Sequence, residues 1–218
     1  MTEKNTNYWK NALVRYETKD WVNKPTLFAQ QVISYFPKSG KLLELGAGQG
    51  QDSLCFSQKG FAVTATDFVN TGLQNCEKKA KAQHLSIDFQ LADISKPLAF
   101  LNETFDVVYS HLGLHYLNRE KTQMLFKEIH RILKPDGLFI TLLNTIEDPE
   151  LQSSKFEKIE DYFYREMSFD FYKRYFSIEH VKDFTDGLFE FIILDNRGQT
   201  YKDEIKTLIR LVAKKKSL

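Results

Sequence analysis

The stretch that decides the fold is Lys41-Leu42-Leu43-Glu44-Leu45-Gly46-Ala47-Gly48-Gln49-Gly50. Its apolar run leads through a carboxylate, Glu44, into glycines at every second position, which predicts a parallel strand that ends against a bound ligand. Glycine has no β-carbon, so the chain can turn sharply at Gly46 and Gly48, and backbone N–H groups can approach a bulky partner there. We expect a helix to follow this loop.

The spacing of these glycines separates two classes of ligand. The dinucleotide fingerprint is G-x-G-x-x-G, whereas the glycines here alternate. A pyrophosphate favours a helix N-terminus without a nearby carboxylate, so Glu44 disfavours a phosphate ligand and favours one that carries positive charge. S-adenosylmethionine has an ammonium and a sulfonium group and no phosphate. A glycine-rich turn that binds no ligand is the structural alternative.

Three motifs resemble those of the class I S-adenosylmethionine-dependent methyltransferases. The stretch from Glu44 to Gly50 resembles the family's first motif, a strand followed by E-x-G-x-G-x-G. The stretches Phe105-Asp106-Val107-Val108 and Leu133-Lys134-Pro135-Asp136-Gly137 resemble its F-D-V-V and L-K-P-G-G patterns. The resemblance covers nearly the whole chain from Lys41 onward and is general to small bacterial enzymes of the tellurite-resistance and thiopurine-like type. It implies methyl transfer from S-adenosylmethionine to a small molecule, with aromatic, thiol and oxygen acceptors as candidates.

Composition narrows the classes of partner. With 218 residues, 42% hydrophobic, and a net charge of +1, the chain suits a single domain spanning residues 1–218. The balanced charge gives no electrostatic footprint for nucleic acid. No apolar run approaches the length of a membrane span, and the N-terminus lacks a signal-peptide core, so we expect a cytoplasmic protein without a membrane partner. Cys55 and Cys76 are interpreted as buried thiols, and no metal site is expected. The oligomeric state is not indicated.

The order of elements predicts an α/β fold with a doubly wound, seven-stranded, mostly parallel sheet. Its last two strands, Phe189 to Asp195 and a segment near Ile205 to Ala213, are separated by a short loop and must form an antiparallel C-terminal hairpin. Residues 1–38 are expected to form a helical cover. Residues 144–186, where charged and aromatic residues are interleaved, are expected to form a helical lid insertion over the pocket. A plain packing segment is the alternative for this insertion.

Carboxylates at the tips of successive strands are the candidate cofactor ligands. Asp67 ends the second strand, where a bidentate carboxylate grips a ribose diol in both dinucleotide and methyl-donor folds. The resemblance implies that Asp93, after the third strand, accepts from the adenine amino group while Ile94 contacts the ring; a turn-capping Asp is the alternative. The predicted cofactor-binding residues are Glu44, Gly46, Ala47, Gly48, Asp67, Phe68, Asp93, Ile94, Ser110 and His111.

Methyl transfer places few demands on catalytic side chains. The sulfonium already activates the carbon, so the protein mainly aligns the reactants and excludes water. If the acceptor must lose a proton, His115 is the candidate base because it lies just beyond the fourth strand. A surface or packing histidine is the alternative. The candidate acceptor contacts are Tyr8, Trp9, Tyr116 and Tyr164, with Arg15 and Trp21 as further wall residues; ordinary core aromatics are the alternative for the rings.

Two other function classes stay open at this level. A nicotinamide-dependent oxidoreductase is disfavoured by Glu44 and by the glycine spacing. A non-catalytic cofactor-binding module on the same fold is disfavoured because Glu44, Gly46, Gly48, Asp67 and Asp93 are intact. The Asn-Pro-Pro-aromatic signature of amino-directed DNA methyltransferases is absent. No motif names the acceptor, because a fold does not fix a function.

Overall fold

The structure, a computed structural model, describes residues 3–201 and 207–217. Within these ranges the strands are β1 (Lys41–Leu45), β2 (Ala62–Asp67), β3 (Ile87–Leu91), β4 (Phe105–His111), β5 (Leu133–Asn144), β6 (Phe156–Glu160), β7 (Phe163–Glu166), β8 (Phe171–Arg174), β9 (Phe189–Asp195) and β10 (Leu208–Lys215). The helices are α1 (Glu3–Tyr16), α2 (Leu27–Val32), α3 (Gln51–Gln58), α4 (Asn70–Ala82), α5 (Arg119–Ile132) and α6 (Ile178–Thr185).

Seven of these strands form one sheet in the order β3-β2-β1-β4-β5-β10-β9. Strands β1 to β5 pair in parallel, whereas β10 runs antiparallel to both β5 and β9. The strand order reverses between β1 and β4, and open α/β sheets bind ligands above the carboxyl ends of the strands at such a point. The predicted fold class and its terminal hairpin are confirmed. The predicted start of the last strand, at Ile205, lies outside the described residues.

Helices cover both faces of the sheet, which explains why its central strands carry mostly buried apolar residues. On one face, Phe126 of α5 and Phe184 of α6 pack against strand residues such as Phe139. On the other face, Phe28 of α2 and Phe56 of α3 enclose the ring of Tyr109. All six rings are nearly or fully buried. No helix among the described residues has the length and apolar character needed to cross a bilayer.

The insertion at residues 144–186 is not the helical lid that the sequence predicts. It contains a separate antiparallel sheet, β6-β7-β8, followed by α6. The aromatic residues there act as strand formers, and two of the strands are only four residues long, too short to show a clear period of two. Tyr162 and Asp170 take left-handed backbone angles, φ 60° and 51°, just before β7 and β8.

Two local features follow the sequence closely. The side chain of Ser177 accepts a hydrogen bond from the His180 N–H and caps α6. Asp136 adopts φ 62°, the left-handed region that Asp tolerates in place of glycine, although the turn lies inside the long strand β5. Both positions therefore do what their residue types predict.

Candidate functional site

A cavity lies above the carboxyl ends of β1, β2 and β4, where the strand order reverses. It encloses about 1210 Å³ of empty space, part of which is open to solvent. The loop after β1 and the tip of β2 form one side of it. The N-terminal segment supplies Trp9, Leu13, Tyr16 and Trp21 to another side, and Tyr201 reaches it from the loop between β9 and β10.

The glycine loop after β1 has the backbone conformation that its glycines require. Gly46, Gly48 and Gly50 have φ of 76°, 55° and 77°, a region that residues with a β-carbon enter at a cost. The N–H groups of Gly46 and Ala47 both donate to the Thr66 carbonyl of β2, at 2.9 and 2.8 Å. The loop is therefore fixed to the neighbouring strand.

Helix α4 packs directly against this loop. A β-carbon at Gly50 would lie 1.8 Å from Cys76 Sγ, and one at Gly72 would lie 2.5 Å from the Gly48 carbonyl oxygen. Cys76 is fully buried, and this burial raises the pKa of its thiol to about 12, so it acts as a packing group. The predicted burial of Cys55 is wrong, because that residue is partly exposed on α3.

Asp67 holds the loop from the tip of β2. Its carboxylate accepts from the Gly48 N–H and from the Val69 N–H, both at 2.8 Å. Burial raises the pKa of Asp67, and these backbone hydrogen bonds oppose the rise. Each carboxylate oxygen can accept a further hydrogen bond, so the residue can hold a ligand hydroxyl pair while it braces the loop.

Glu44 is a buried carboxylate at the end of β1. It is 3% exposed and accepts a short hydrogen bond from Ser53 Oγ. Burial raises the pKa of Glu44 well above its usual value, and the nearby charge of Asp52 adds to the rise. A cationic ligand in the cavity would favour the ionised carboxylate.

Sequence reasoning missed Asp52, which links the cavity to the N-terminal segment. Its carboxylate accepts from the Thr26 N–H at 2.8 Å, from Thr26 Oγ1 at 2.7 Å and from the Tyr109 hydroxyl at 2.7 Å. Thr26 in turn caps α2 through Ala29 N. An Asp in the first turn of the helix after the glycine loop was the available signal, but it resembles an ordinary helix-start residue.

The structure brings most of the predicted cofactor residues together and leaves two aside. Those that line the cavity are Glu44, Gly46, Ala47, Gly48, Asp67, Phe68, Ile94 and His111. Asp93 lies outside this lining and accepts from Ser95 N and Ser95 Oγ at 2.9 and 2.7 Å, as the turn-capping alternative predicts. Ser110 is fully buried and donates to the Leu45 carbonyl at 2.7 Å.

The candidate acceptor contacts divide in the same way. Trp9 and Tyr116 line the cavity with their rings 5.8 Å apart, and Trp21 lines it too. Tyr8 lies outside the lining and stacks on Phe171 of β8 at 4.6 Å. Arg15 and Tyr164 also lie outside it; Arg15 is exposed on α1, and Tyr164 packs edge-on against Tyr175 at 5.7 Å.

His115 is not brought to the cavity. It is 1% exposed and lies outside the lining, whereas His111 lies within it. Its role as a base stays a prediction, and this conformation gives it no path to an acceptor.

Tyr201 is a wall residue that no motif indicated. Its hydroxyl donates to the Pro25 carbonyl at 3.0 Å and accepts from Gln30 Nε2 at 3.1 Å. These bonds tie the loop between β9 and β10 to the start of α2, so residues from distant parts of the chain meet at the cavity.

Residues 43–141 match the family model of the methyltransferase domain. This part of the chain is therefore similar to a methyltransferase domain. The match runs from β1 into β5 and so includes β1, β2 and β4, above which the cavity lies. The chain is 28% identical over 145 residues to a putative methyltransferase of Geobacillus sp., covering 64% of this chain and 56% of that one. It is 32% identical over 138 residues to a demethylmenaquinone methyltransferase of Leptospira interrogans, covering 62% of this chain and 49% of that one. The chain spans about half the length of these curated relatives.

Solved structures of methyltransferases share the fold of this chain. A 1,6-didemethyltoxoflavin N1-methyltransferase of Burkholderia thailandensis aligns with a TM-score of 0.74 at 16% identity, over 97% of this chain and 85% of that one. TehB of Haemophilus influenzae aligns with a TM-score of 0.65 at 22% identity, over 87% and 61%. The solved structures support the predicted methyltransferase fold, and similarity to a relative named as a probable S-adenosyl-L-methionine-dependent methyltransferase, TehB of Haemophilus influenzae, supports the predicted family and cofactor.

Proposed function

We propose that this chain transfers the methyl group of S-adenosylmethionine to a small-molecule acceptor bound in the cavity. The observation that supports this most strongly is the position of Asp67 beside the glycine loop, at the reversal point of the sheet. Aromatic, thiol and oxygen acceptors are all compatible with this proposal.

The residues around the cavity fit the groups of this cofactor. Asp67 would bind the two ribose hydroxyls, and the close-packed glycine loop would let the nucleoside approach the backbone. Phe68 and Ile94 would contact the adenine ring. The cofactor's net positive charge suits a cavity in which Glu44 is buried beside Asp52.

The chain's own contribution to the reaction is positioning and exclusion of water. When bound, S-adenosylmethionine supplies a methyl carbon that its sulfonium already activates. The aromatic side chains of Trp9, Tyr16 and Tyr116 would cover the reacting atoms and favour the sulfonium by about 0.5 to 2 kcal/mol for each desolvated ring face. If a proton must be removed, His115 would need a change of conformation to reach the acceptor.

A ligand screen tests this function directly. S-adenosylmethionine and S-adenosylhomocysteine should each stabilise the protein by about 2.7 kcal/mol at a hundredfold their dissociation constants. NAD should not stabilise it, because alternating glycines beside a buried Glu44 do not suit a pyrophosphate. The measurement is thermal unfolding with each ligand. Stabilisation by NAD and not by the sulfur compounds would contradict the proposal and favour an oxidoreductase.

A further inference from the structure

The charge of the cavity restricts what the methyl acceptor can be. Three carboxylates line it, those of Glu44, Asp52 and Asp67, and they are 3%, 2% and 8% exposed. No lysine or arginine lines it among residues 3–201 and 207–217. An acceptor carboxylate or phosphate would enter this space beside three acidic side chains and without a described counter-charge. Anionic acceptors are therefore disfavoured.

Four aromatic side chains that line the cavity meet in two pairs. Trp9 meets Tyr116 with ring centroids 5.8 Å apart, and Tyr16 meets Trp21 at 5.3 Å. All four side chains line the cavity, and they come from α1, the turn after it and the loop after β4. Aromatic side chains pack well against flat rings in stacked or edge-on arrangements. The wall therefore suits a planar acceptor.

One polar group in this wall needs a partner. Trp9 Nε1 is buried and has no hydrogen-bond partner in the described part of the chain. A buried donor left unpaired is costly, so a ligand that offers an acceptor atom would gain affinity there. A carbonyl oxygen or a ring nitrogen of a heteroaromatic ligand would provide this atom.

Building on the proposed function, we infer that the methyl acceptor is a small, planar heteroaromatic compound that carries no anionic group. An unprotonated ring nitrogen would attack with its lone pair, so that the nitrogen–carbon bond forms as the carbon–sulfur bond breaks. The electron pair of the broken bond stays on sulfur and gives S-adenosylhomocysteine. No proton is released from such a nitrogen, so no base is required, in agreement with the position of His115 outside the cavity lining.

Three matched probes test the charge rule. They are a quinoline carboxamide, an aminomethyl quinoline and a quinoline carboxylate, substituted at the same ring carbon. The chain has two tryptophans, Trp9 and Trp21, and both line the cavity, so intrinsic fluorescence reports on it. Each probe is titrated into protein saturated with S-adenosylhomocysteine. The carboxamide and the amine should bind about tenfold or more tightly than the carboxylate, a difference of about 1.4 kcal/mol.

Equal or tighter binding of the carboxylate would overturn the inference, as would a lack of quenching by all three probes. The prior titration with S-adenosylhomocysteine separates these failures from a failure of the proposed function, which would appear as no binding of that compound. Trp9→Phe and Trp21→Phe form a matched pair of variants for calorimetry. In Trp9→Phe, the affinity for the carboxamide should fall several-fold more than the affinity for S-adenosylhomocysteine, because the Trp9 N–H is lost. In Trp21→Phe the two affinities should fall equally. The same loss of carboxamide affinity in both variants would exclude the hydrogen bond to Trp9.

Discussion

Asp67 at the tip of β2 accepts a hydrogen bond of 2.8 Å from the Gly48 N–H of the loop that follows β1. The carboxylate proposed to hold the ligand therefore also holds the loop on which the ligand rests. Sequence alone would predict that removing the Asp67 side chain lowers the affinity for the cofactor and leaves the stability of the ligand-free protein unchanged. The structure changes that expectation, because two backbone N–H groups depend on this side chain.

Asp67→Ala should lower both ligand affinity and stability. Loss of a charged, bidentate hydrogen-bond partner should lower the affinity for S-adenosylhomocysteine by about tenfold or more. The Gly48 and Val69 N–H groups lose their acceptor, so the free energy of unfolding should fall by about 1 to 3 kcal/mol. Calorimetry and urea unfolding measure the two effects. Asp88→Ala, an exposed aspartate on the adjacent strand β3, is the control and should change neither; unaltered affinity in Asp67→Ala would contradict the assignment.

The buried carboxylate of Glu44 should make the stability of the empty protein depend on pH. The folded state raises the pKa of Glu44 above the reference value of 4.5, mainly by burial, so the folded state favours the protonated form. Its stabilising contribution is complete below pH 4.5 and is lost as the pH rises through the raised pKa. Glu44→Gln cannot ionise and should gain in melting temperature relative to wild type as the pH rises.

A cationic ligand should reverse that loss. S-adenosylmethionine should stabilise the wild type more strongly as Glu44 ionises, and the increase with pH should be smaller in Glu44→Gln. Thermal unfolding across the acid-to-neutral range measures both trends. A constant difference between wild type and variant over that range would show that Glu44 does not titrate there.

The insertion is fixed to the rest of the domain through Arg174. Its side chain is 1% exposed, forms an ion pair with Glu160 and donates from Nε to the Leu117 carbonyl at 2.9 Å. Its own N–H donates to the His115 carbonyl at 2.5 Å, so both residues beside Tyr116 depend on it. Arg174→Met should lower the free energy of unfolding by about 1 to 3 kcal/mol, mainly because the buried hydrogen bond to the Leu117 carbonyl is lost; the Glu160 side of the ion pair is 37% exposed and adds little.

Arg165→Met is the matched control for this variant. Arg165 pairs with Asp170 and Glu157 in the same small sheet, but its side chain is 38% exposed. Its loss should change the free energy of unfolding by no more than about 1 kcal/mol. Similar losses in the two variants, measured by urea unfolding, would mean that Arg174 contributes no more than a surface pair.

The N-terminal segment and the insertion should respond together when a ligand binds. Tyr8 stacks on Phe171, and Trp9 contacts Tyr116, so α1 and β8 meet beside the cavity. Hydrogen exchange with S-adenosylhomocysteine should show increased protection in the glycine loop, around Tyr8 and Trp9, and in residues 156–176. The core helix α5 is the internal reference. A response confined to the glycine loop would make the insertion ordinary scaffold.

The parts of the site that sequence could predict depend on local rules. The glycine loop is one, since Gly46, Gly48 and Gly50 all adopt positive φ. The strand tips are another, because a carboxylate at the end of β2 must lie beside the end of β1 in a parallel sheet. Asp93 shows the limit of that rule, since its position after β3 was foreseen but its carboxylate bonds to Ser95.

The missed parts depend on residues distant in the chain. Asp52 gained its role from Thr26 and Tyr109, which no short motif connects to it. The insertion was misread because its short strands carry aromatics that suit either a helix or a strand, and pairing with neighbours decides between the two.

Two contacts near the cavity join residues that are far apart in the chain, and this has a consequence for biosynthesis. The glycine loop and Asp67 are synthesised early. Tyr8 is synthesised before them, but it can stack on Phe171 only after residue 171 has also been synthesised. The hydrogen bond between the Pro25 carbonyl and the Tyr201 hydroxyl can form only after an even longer segment has been synthesised. Contacts that join distant residues form slowly, because a large loop of chain must first be closed. A partly translated chain would thus expose its aromatic residues, and it should need protection from aggregation until the closing hairpin has been made.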